Sequence, residues 1–147
     1  MIEVKEITEM SQKVCDAFAR LVPQLSSSAS IPTYAEVEDL INSKAGIVLA
    51  ATDTDDPNAE ILGMMTLVVF RIPTGIRAWI EDVVVDGNAR GKGIGEKLVR
   101  AAVERAKQEG AKTVDLTSRP SREAANRLYR RCGFETRETN IYRIKLG

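Results

Sequence analysis

The chain of 147 residues contains no histidine. That absence removes the Ser–His and Cys–His nucleophilic dyads and the commonest zinc ligand, so no metal site is expected. Cysteine is scarce too. Cys15 and Cys132 lie far apart without metal-ligand spacing, which fits reduced thiols, although spacing alone leaves a disulfide open. No stretch approaches the roughly 20 continuous apolar residues of a membrane span. The N-terminus lacks a basic start followed by an apolar block, so no secretory signal is expected. A cytoplasmic location away from membranes follows as the expectation.

Apolar residues make up 44% of the chain, enough for a real core. No repeat and no linker interrupts the pattern, so the expectation is a single domain over residues 1–147. The zero net charge hides an asymmetry. Residues 1–87 carry 6 Lys/Arg and 14 Asp/Glu, a balance of −8, whereas residues 88–147 carry 15 and 7, a balance of +8. The basic half suits a polyanionic ligand, and the acidic half suits a cationic partner. Solvated helix faces account for many of these charges equally well.

Periodicity lays out the elements. Ile2 to Ile7 alternates apolar and charged residues, as a strand does. Residues 11–25 read as a helix with Ser11 at its N-cap. Thr33 to Ser43 reads as a second helix, stopped before Gly46, and Ile47 to Ala51 as a strand. Ile61 to Ile72 and Ile76 to Val85 flank Pro73-Thr74-Gly75 and read as an antiparallel hairpin. Ile94 to Glu109 carries an apolar stripe of Ile94, Leu98, Val99, Ala102, Val103 and Ala106, with Gly110 at its C-terminal end. Thr113 to Thr117 is a strand, and Ser121 caps a helix through Arg131. Phe134 to Arg137 and Ile141 to Leu146 read as two short closing strands. The order is β-α-α-β-β-β-α-β-α-β-β, an α/β class with a mixed sheet flanked by helices and a crossover around residues 83–117.

The most informative stretch follows Val83-Val84-Val85. A turn at Asp86-Gly87-Asn88 leads into Arg90-Gly91-Lys92-Gly93-Ile94-Gly95 and directly into the long helix. The dinucleotide pattern G-x-G-x-x-G fails because position 96 is Glu96, and Walker A fails because no Gly-Lys-Ser/Thr exists. What remains is Arg90-x-x-Gly93-x-Gly95. Small residues let the backbone approach a pyrophosphate, and a helix N-terminus offers unpaired N–H donors. Arg90 and Lys92 add full charges. No Ser, Thr, Asp or Asn immediately precedes the helix, so a ligand anion can take the place of a side-chain cap.

These residues resemble the GNAT superfamily of N-acetyltransferases, whose pyrophosphate motif Q/R-x-x-G-x-G/A is matched by Arg90, Gly93 and Gly95. The family's later motif matches Ala125-Asn126-Arg127-Leu128-Tyr129-Arg130-Arg131-Cys132-Gly133-Phe134. The resemblance covers residues 60–146 well, and the N-terminal order of elements fits it. Ile80 to Val85 looks like members that acetylate small amines, including glucosamine 6-phosphate acetyltransferases. The resemblance implies acetyl-coenzyme A as co-substrate, bound by Arg90, Gly91, Lys92, Gly93, Ile94 and Gly95 and by the backbone of Val83, Val84 and Val85. It implies that the strand of Val83 splays from Val114 to Thr117, that its exposed amides pair with pantetheine, and that an N–H near Val83 polarises the thioester carbonyl. It also places the Tyr129 hydroxyl near the coenzyme A sulfur, as an acid for the departing thiolate, and Asn126 on the pantetheine or phosphate arm.

On the helix, Arg122, Asn126 and Tyr129 fall at i, i+4 and i+7, a polar ridge beside the buried stripe. Glu81 is the candidate base, directly or through a water. In a regular strand it shares a face with Val83 and Val85, while Asp82 shares one with Ile80 and Val84; a bulge, which the family often has here, changes that assignment. Asp82 is the alternative base, and either carboxylate can instead orient a cationic amine. Cys132 has no histidine to activate it. Trp79, Phe70 and Tyr34 are candidates to line an acceptor pocket, each with plain packing as the simpler reading.

The leading function is direct acetyl transfer to a primary amine in a ternary complex, most simply a small-molecule amine. Acylation of a protein amine and a non-catalytic acyl-coenzyme A-binding module are the alternatives. Nucleic-acid binding ranks last, because the basic half lacks interleaved aromatics and the total charge is zero. Family members often dimerise, so a homodimer stays open.

Overall fold

Alternating apolar and charged residues form β1 (Ile2–Glu6). Ser11 caps α1 (Gln12–Leu25), its hydroxyl accepting from the Val14 N–H at 3.3 Å. α2 (Tyr34–Asn42) opens on a reciprocal capping box between Thr33 and Glu36. β2 (Gly46–Asp53), β3 (Gly63–Ile72) and β4 (Gly75–Val85) follow, then a 3-10 turn at Gly87–Ala89, α3 (Ile94–Gln108), β5 (Thr113–Asp115) and α4 (Glu123–Arg131). The structure is a computed structural model describing residues 1–147.

The five strands form one sheet in the order β1-β2-β3-β4-β5. The first four pair antiparallel, and β5 joins parallel to β4 after the crossover through α3. Both faces of the sheet are covered, which is why β2 reads as an unbroken apolar run. Ile47, Leu49 and Ala51 face α3, together with Met65, Leu67 and Ile80; there they meet Ile94, Leu98, Val99, Ala102 and Tyr129. Val48, Ala50, Met64 and Val84 face the other way and meet Val14, Phe18 and Leu21 of α1 and Val37 and Ile41 of α2. Burial of a side chain such as Leu98 or Leu21 contributes about 1.5–3 kcal/mol.

Two expectations for the C-terminal third are corrected. α4 begins after Arg122, with no side-chain cap, rather than at Ser121. The chain first winds a turn in which the Arg122 N–H donates to the Arg119 carbonyl, and the first helical bond, from Asn126, reaches only to Arg122. Phe134 to Arg137 and Ile141 to Leu146 form no strands. β5 is three residues long and gives a further strand little edge to pair with. The apolar side chains that suggested the last strand stay outside the core, with Ile141, Tyr142, Ile144 and Leu146 between 65% and 91% exposed.

Gly63 marks where α3 passes closest over the sheet. A Cβ there would lie 3.0 Å from Ile94 Cγ2, 3.1 Å from the Val84 carbonyl oxygen and 3.2 Å from Leu98 Cδ1. Gly63→Ala is therefore expected to lower stability by about 1–3 kcal/mol through overpacking. The measurement is the urea midpoint at constant m-value; an unmoved midpoint would contradict the close approach.

Candidate active site

β4 and β5 pair only from Arg77↔Thr113 to Trp79↔Asp115, while β4 runs on to Val85. Past Trp79 the strands part, and that edge of β4 has no neighbouring strand. An extended ligand can add to such an edge by main-chain hydrogen bonds.

The other edge of β4 carries a bulge. Thr66 pairs with Glu81 and Met64 with Val84, so Asp82 and Val83 together oppose Met65. Asp82 takes φ 53, the one non-glycine residue of the chain with positive φ. The extra residue exchanges the faces of everything after it. Ile80 packs on the α3 side and Val84 on the α1 side, while Val83 and Val85 pack against the α3-side core. The regular-strand expectation is thereby corrected: Glu81 falls on the α1 and α2 face, opposite to Val83 and Val85. Glu81 and Asp82 are both exposed.

After Val85, Asp86 caps the 3-10 turn, its carboxylate accepting from the Asn88 N–H at 3.0 Å. Ala89 is buried, and Arg90 and Lys92 are exposed. Gly91 at φ 85 and Gly93 at φ 72 are left-handed, and a Cβ at either would meet nothing within 4 Å. They are glycine for backbone shape, and the space above them is open. Gly93 is the N-cap of α3 and supplies no side-chain cap, as the sequence implied. The first-turn N–H groups are left for an anion. At Gly95 a Cβ would lie 3.7 Å from Leu128 Cδ1 and 3.8 Å from Val85 Cγ2, so the start of α3, the end of β4 and α4 converge there. The side chains of Val84 and Ile94 are core, so only their backbones are available to a ligand.

Glu96, the residue that breaks the dinucleotide pattern, ties the two helices: its carboxylate accepts from Arg131 Nε at 3.2 Å and from Arg100 Nε at 3.3 Å. Those two partners hold its carboxyl below the usual range. Tyr129, buried on α4, packs its ring edge-on to Phe134 with centroids 6.0 Å apart. Burial raises its hydroxyl above the ordinary tyrosine value, with Arg122 opposing, so it stays protonated through the neutral range. Burial likewise raises the Cys132 thiol, which disfavours the nucleophilic thiolate.

Tyr129, Asn126 and Trp79 line a groove of about 720 Å³ beside β5. The Asn126 side chain donates to the Arg119 carbonyl at 3.1 Å, closing the turn before α4. The groove lining includes neither Glu81 nor the Arg90–Gly95 turn. The latter is joined to α4 through Leu128, next to Tyr129. Phe70 pairs with Arg77 in the hairpin, and Tyr34 is 43% exposed at the start of α2. No cluster of three or more His, Cys, Asp or Glu is placed to hold a metal, and no helix is long and apolar enough to cross a membrane.

Sequence reasoning missed two features. Ser118 Oγ lies buried in the groove without a hydrogen-bond partner. The Asp86 carboxylate also accepts from Arg20 of α1, a long-range contact with no local sequence signal.

The family model described as the acetyltransferase (GNAT) family matches residues 14–134. Among curated proteins, the chain is 36% identical over 115 residues to "Probable glucosamine 6-phosphate N-acetyltransferase 2" of Oryza sativa subsp. japonica, covering 76% of this chain and 66% of that protein. It is 35% identical over 81 residues to the L-methionine sulfoximine/L-methionine sulfone acetyltransferase of Pseudomonas aeruginosa, covering 54% of this chain and 47% of that one. The chain thus spans less than two thirds of the length of these curated relatives. In fold it is similar to an aminoglycoside acetyltransferase from an uncultured soil metagenomic sample, solved with sisomicin: TM-score 0.83, 21% identity, 99% of this chain and 95% of that one.

Gly93→Ala is expected to destabilise the protein by about 1–2 kcal/mol from left-handed strain alone, since the space is open. Gly95→Ala, which makes only ordinary contacts, is expected to leave the unfolding midpoint nearly unchanged. Equal effects in chemical denaturation would contradict the turn geometry.

Proposed function

The chain belongs to the acetyltransferase (GNAT) family, and from that premise we propose that it is an N-acetyltransferase that moves an acetyl group from acetyl-coenzyme A to the primary amine of a small molecule by direct attack in a ternary complex. One observation carries the reading: an open left-handed glycine turn at an uncapped helix start adjoins the free edge of a strand that has parted from its neighbour. The first suits a pyrophosphate, the second an extended amide-bearing arm, and coenzyme A has both in that order. Acetyl-coenzyme A, when bound, supplies the activated acyl group.

The residues divide the work as follows. The N–H groups at the start of α3, with Arg90 and Lys92, hold the pyrophosphate. The free backbone of Val83 to Val85 aligns the pantetheine arm, and an N–H near Val83 polarises the thioester carbonyl. Tyr129 holds a proton at its hydroxyl and gives it to the departing sulfur. Glu81, on the opposite face, takes the amine proton directly or through a water. The parting of β4 from β5 lets the two faces communicate, so an amine from the α1 and α2 side reaches an acyl group held on the α3 side. Asn126 braces the turn before α4 and so sets the helix that carries Tyr129. The relatives' names include a sugar phosphate and an amino-acid analogue as acetylated molecules, which supports a small-molecule acceptor without choosing one.

Release of free thiol from acetyl-coenzyme A across a panel of amino sugars, amino-acid analogues and polyamines tests the reading. Coenzyme A binding without turnover by any amine would favour a non-catalytic module instead. Tyr129→Phe is expected to lower kcat about 10²-fold or more while leaving coenzyme A affinity nearly intact; equal loss of both would remove the acid role. Arg90→Glu is expected to do the reverse, weakening coenzyme A binding with a smaller change in kcat at saturation.

A further inference from the structure

We propose that Arg20 and Gln24 of α1 are positioning residues of the donor site, acting on the phosphate turn through Asp86 and Gly87; the proposal rests on the donor-site reading above. Asp86 is the one buried charged residue of the chain, 6% exposed. It closes β4 and stands four residues before Arg90. Its backbone N–H donates to the Leu62 carbonyl at 2.8 Å, and its carbonyl accepts from the Ala89 N–H at 2.9 Å. Its carboxylate is shared. One oxygen accepts from the Asn88 N–H at 3.0 Å, and the other accepts from Arg20 Nε at 3.2 Å.

The Arg20 guanidinium reaches further than one partner. It also donates to the Ile61 carbonyl, and its Nη1 lies 3.5 Å from Glu60. One helical turn on, Gln24 accepts from the Gly87 N–H through Oε1 at 2.8 Å and donates from Nε2 back to the Arg20 carbonyl at 3.3 Å. α1 thus places two adjacent side chains on residues 86–87. A planar guanidinium matches a carboxylate and a nearby carbonyl in a way an ammonium does not.

Anchoring α1 to the sheet does not require this contact, because Val14, Ala17, Phe18 and Leu21 already bury its apolar face. The phosphate turn does require an anchor. Gly91 and Gly93 would bring a Cβ near nothing, so no scaffold packs over those positions. The turn is positioned from its ends: α3 on one side, and residues 86–89 on the other. An anion site whose N–H groups are already aimed has less ordering to do on binding. α1 also packs on the face that carries Glu81, so the latch runs from the acceptor face of the sheet to the donor turn.

The test is calorimetric titration of coenzyme A into the full chain, with steady-state kinetics where an acceptor is in hand and a thermal melt for each variant. Arg20→Met is expected to weaken coenzyme A binding about tenfold, the scale of a lost charged hydrogen bond, with a raised KM for the donor and kcat at saturation nearly unchanged. Arg20→Lys is expected to fall between. Gln24→Leu removes the bond to Gly87 and the return bond to the Arg20 carbonyl from an exposed position, and is expected to weaken binding about threefold, a smaller loss for neutral bonds. The double variant Arg20→Met/Asp86→Asn is expected to lose less than the two single losses together. If Arg20→Met fails to fold, Gln24→Leu decides. Variants that melt lower but bind within twofold of the wild type would overturn the latch and leave these residues structural. A wild-type chain that does not bind coenzyme A would overturn the donor-site reading itself, and the latch with it.

Discussion

Side chains alternate strictly along a strand, so one inserted residue exchanges the faces of all that follow. β4 uses this once. Up to the bulge, Ala78 and Ile80 answer to α3; past Asp82, Val83 and Val85 answer to α3 and Val84 to α1. The left-handed backbone at Asp82 is the local cost, and an aspartate tolerates it better than a branched residue would. Glu81 is left on one face, and the free backbone of Val83 to Val85 runs beside the other. The separation of the Glu81 side chain from the face of Val83 and Val85 follows from this single irregularity.

A second constraint is the closeness of α3 to the sheet. Gly63 allows Ile94 and Leu98 to sit almost on the β3 backbone. That contact draws the N-terminus of α3 down to the end of β4, where its unpaired N–H groups lie beside Val85 and Leu128. A side chain at position 63 would lift the helix and move its uncapped N-terminus away from the strand edge. Core packing thereby fixes where the uncapped end of α3 lies.

The donor and acceptor sides are built differently. On the proposed donor side the groups offered are backbone, glycine and helix end, which few sequences can supply and which a short motif announces. On the proposed acceptor side, the face of α1, α2 and the connection between them, Ile31 and Tyr34 are exposed and no motif stands out. That asymmetry accords with relatives that share a family while carrying names of unlike acetylated molecules.

Much of this was readable along the chain because it is local. The cap at Ser11, the strand–turn–helix around Gly93, the uncapped start of α3 and the hairpin at Pro73-Thr74-Gly75 all depend on neighbours within a few residues. The two covered faces of β2 were legible as an unbroken apolar run. What the chain could not announce depends on partners far away in sequence. The alternation of Ile141 to Leu146 suggested a strand, but a strand needs an edge, and β5 ends at Asp115. The face of Glu81 turned on a bulge that only pairing with Met65 reveals. The bond from Arg20 to Asp86 joins residues 66 apart, and no periodicity encodes it. Residue types and spacing determined which backbone groups would be free; which of them meet around one opening was left to the packing of α1, α3 and α4 on a sheet that parts, because only closure of the chain brings distant surfaces into contact.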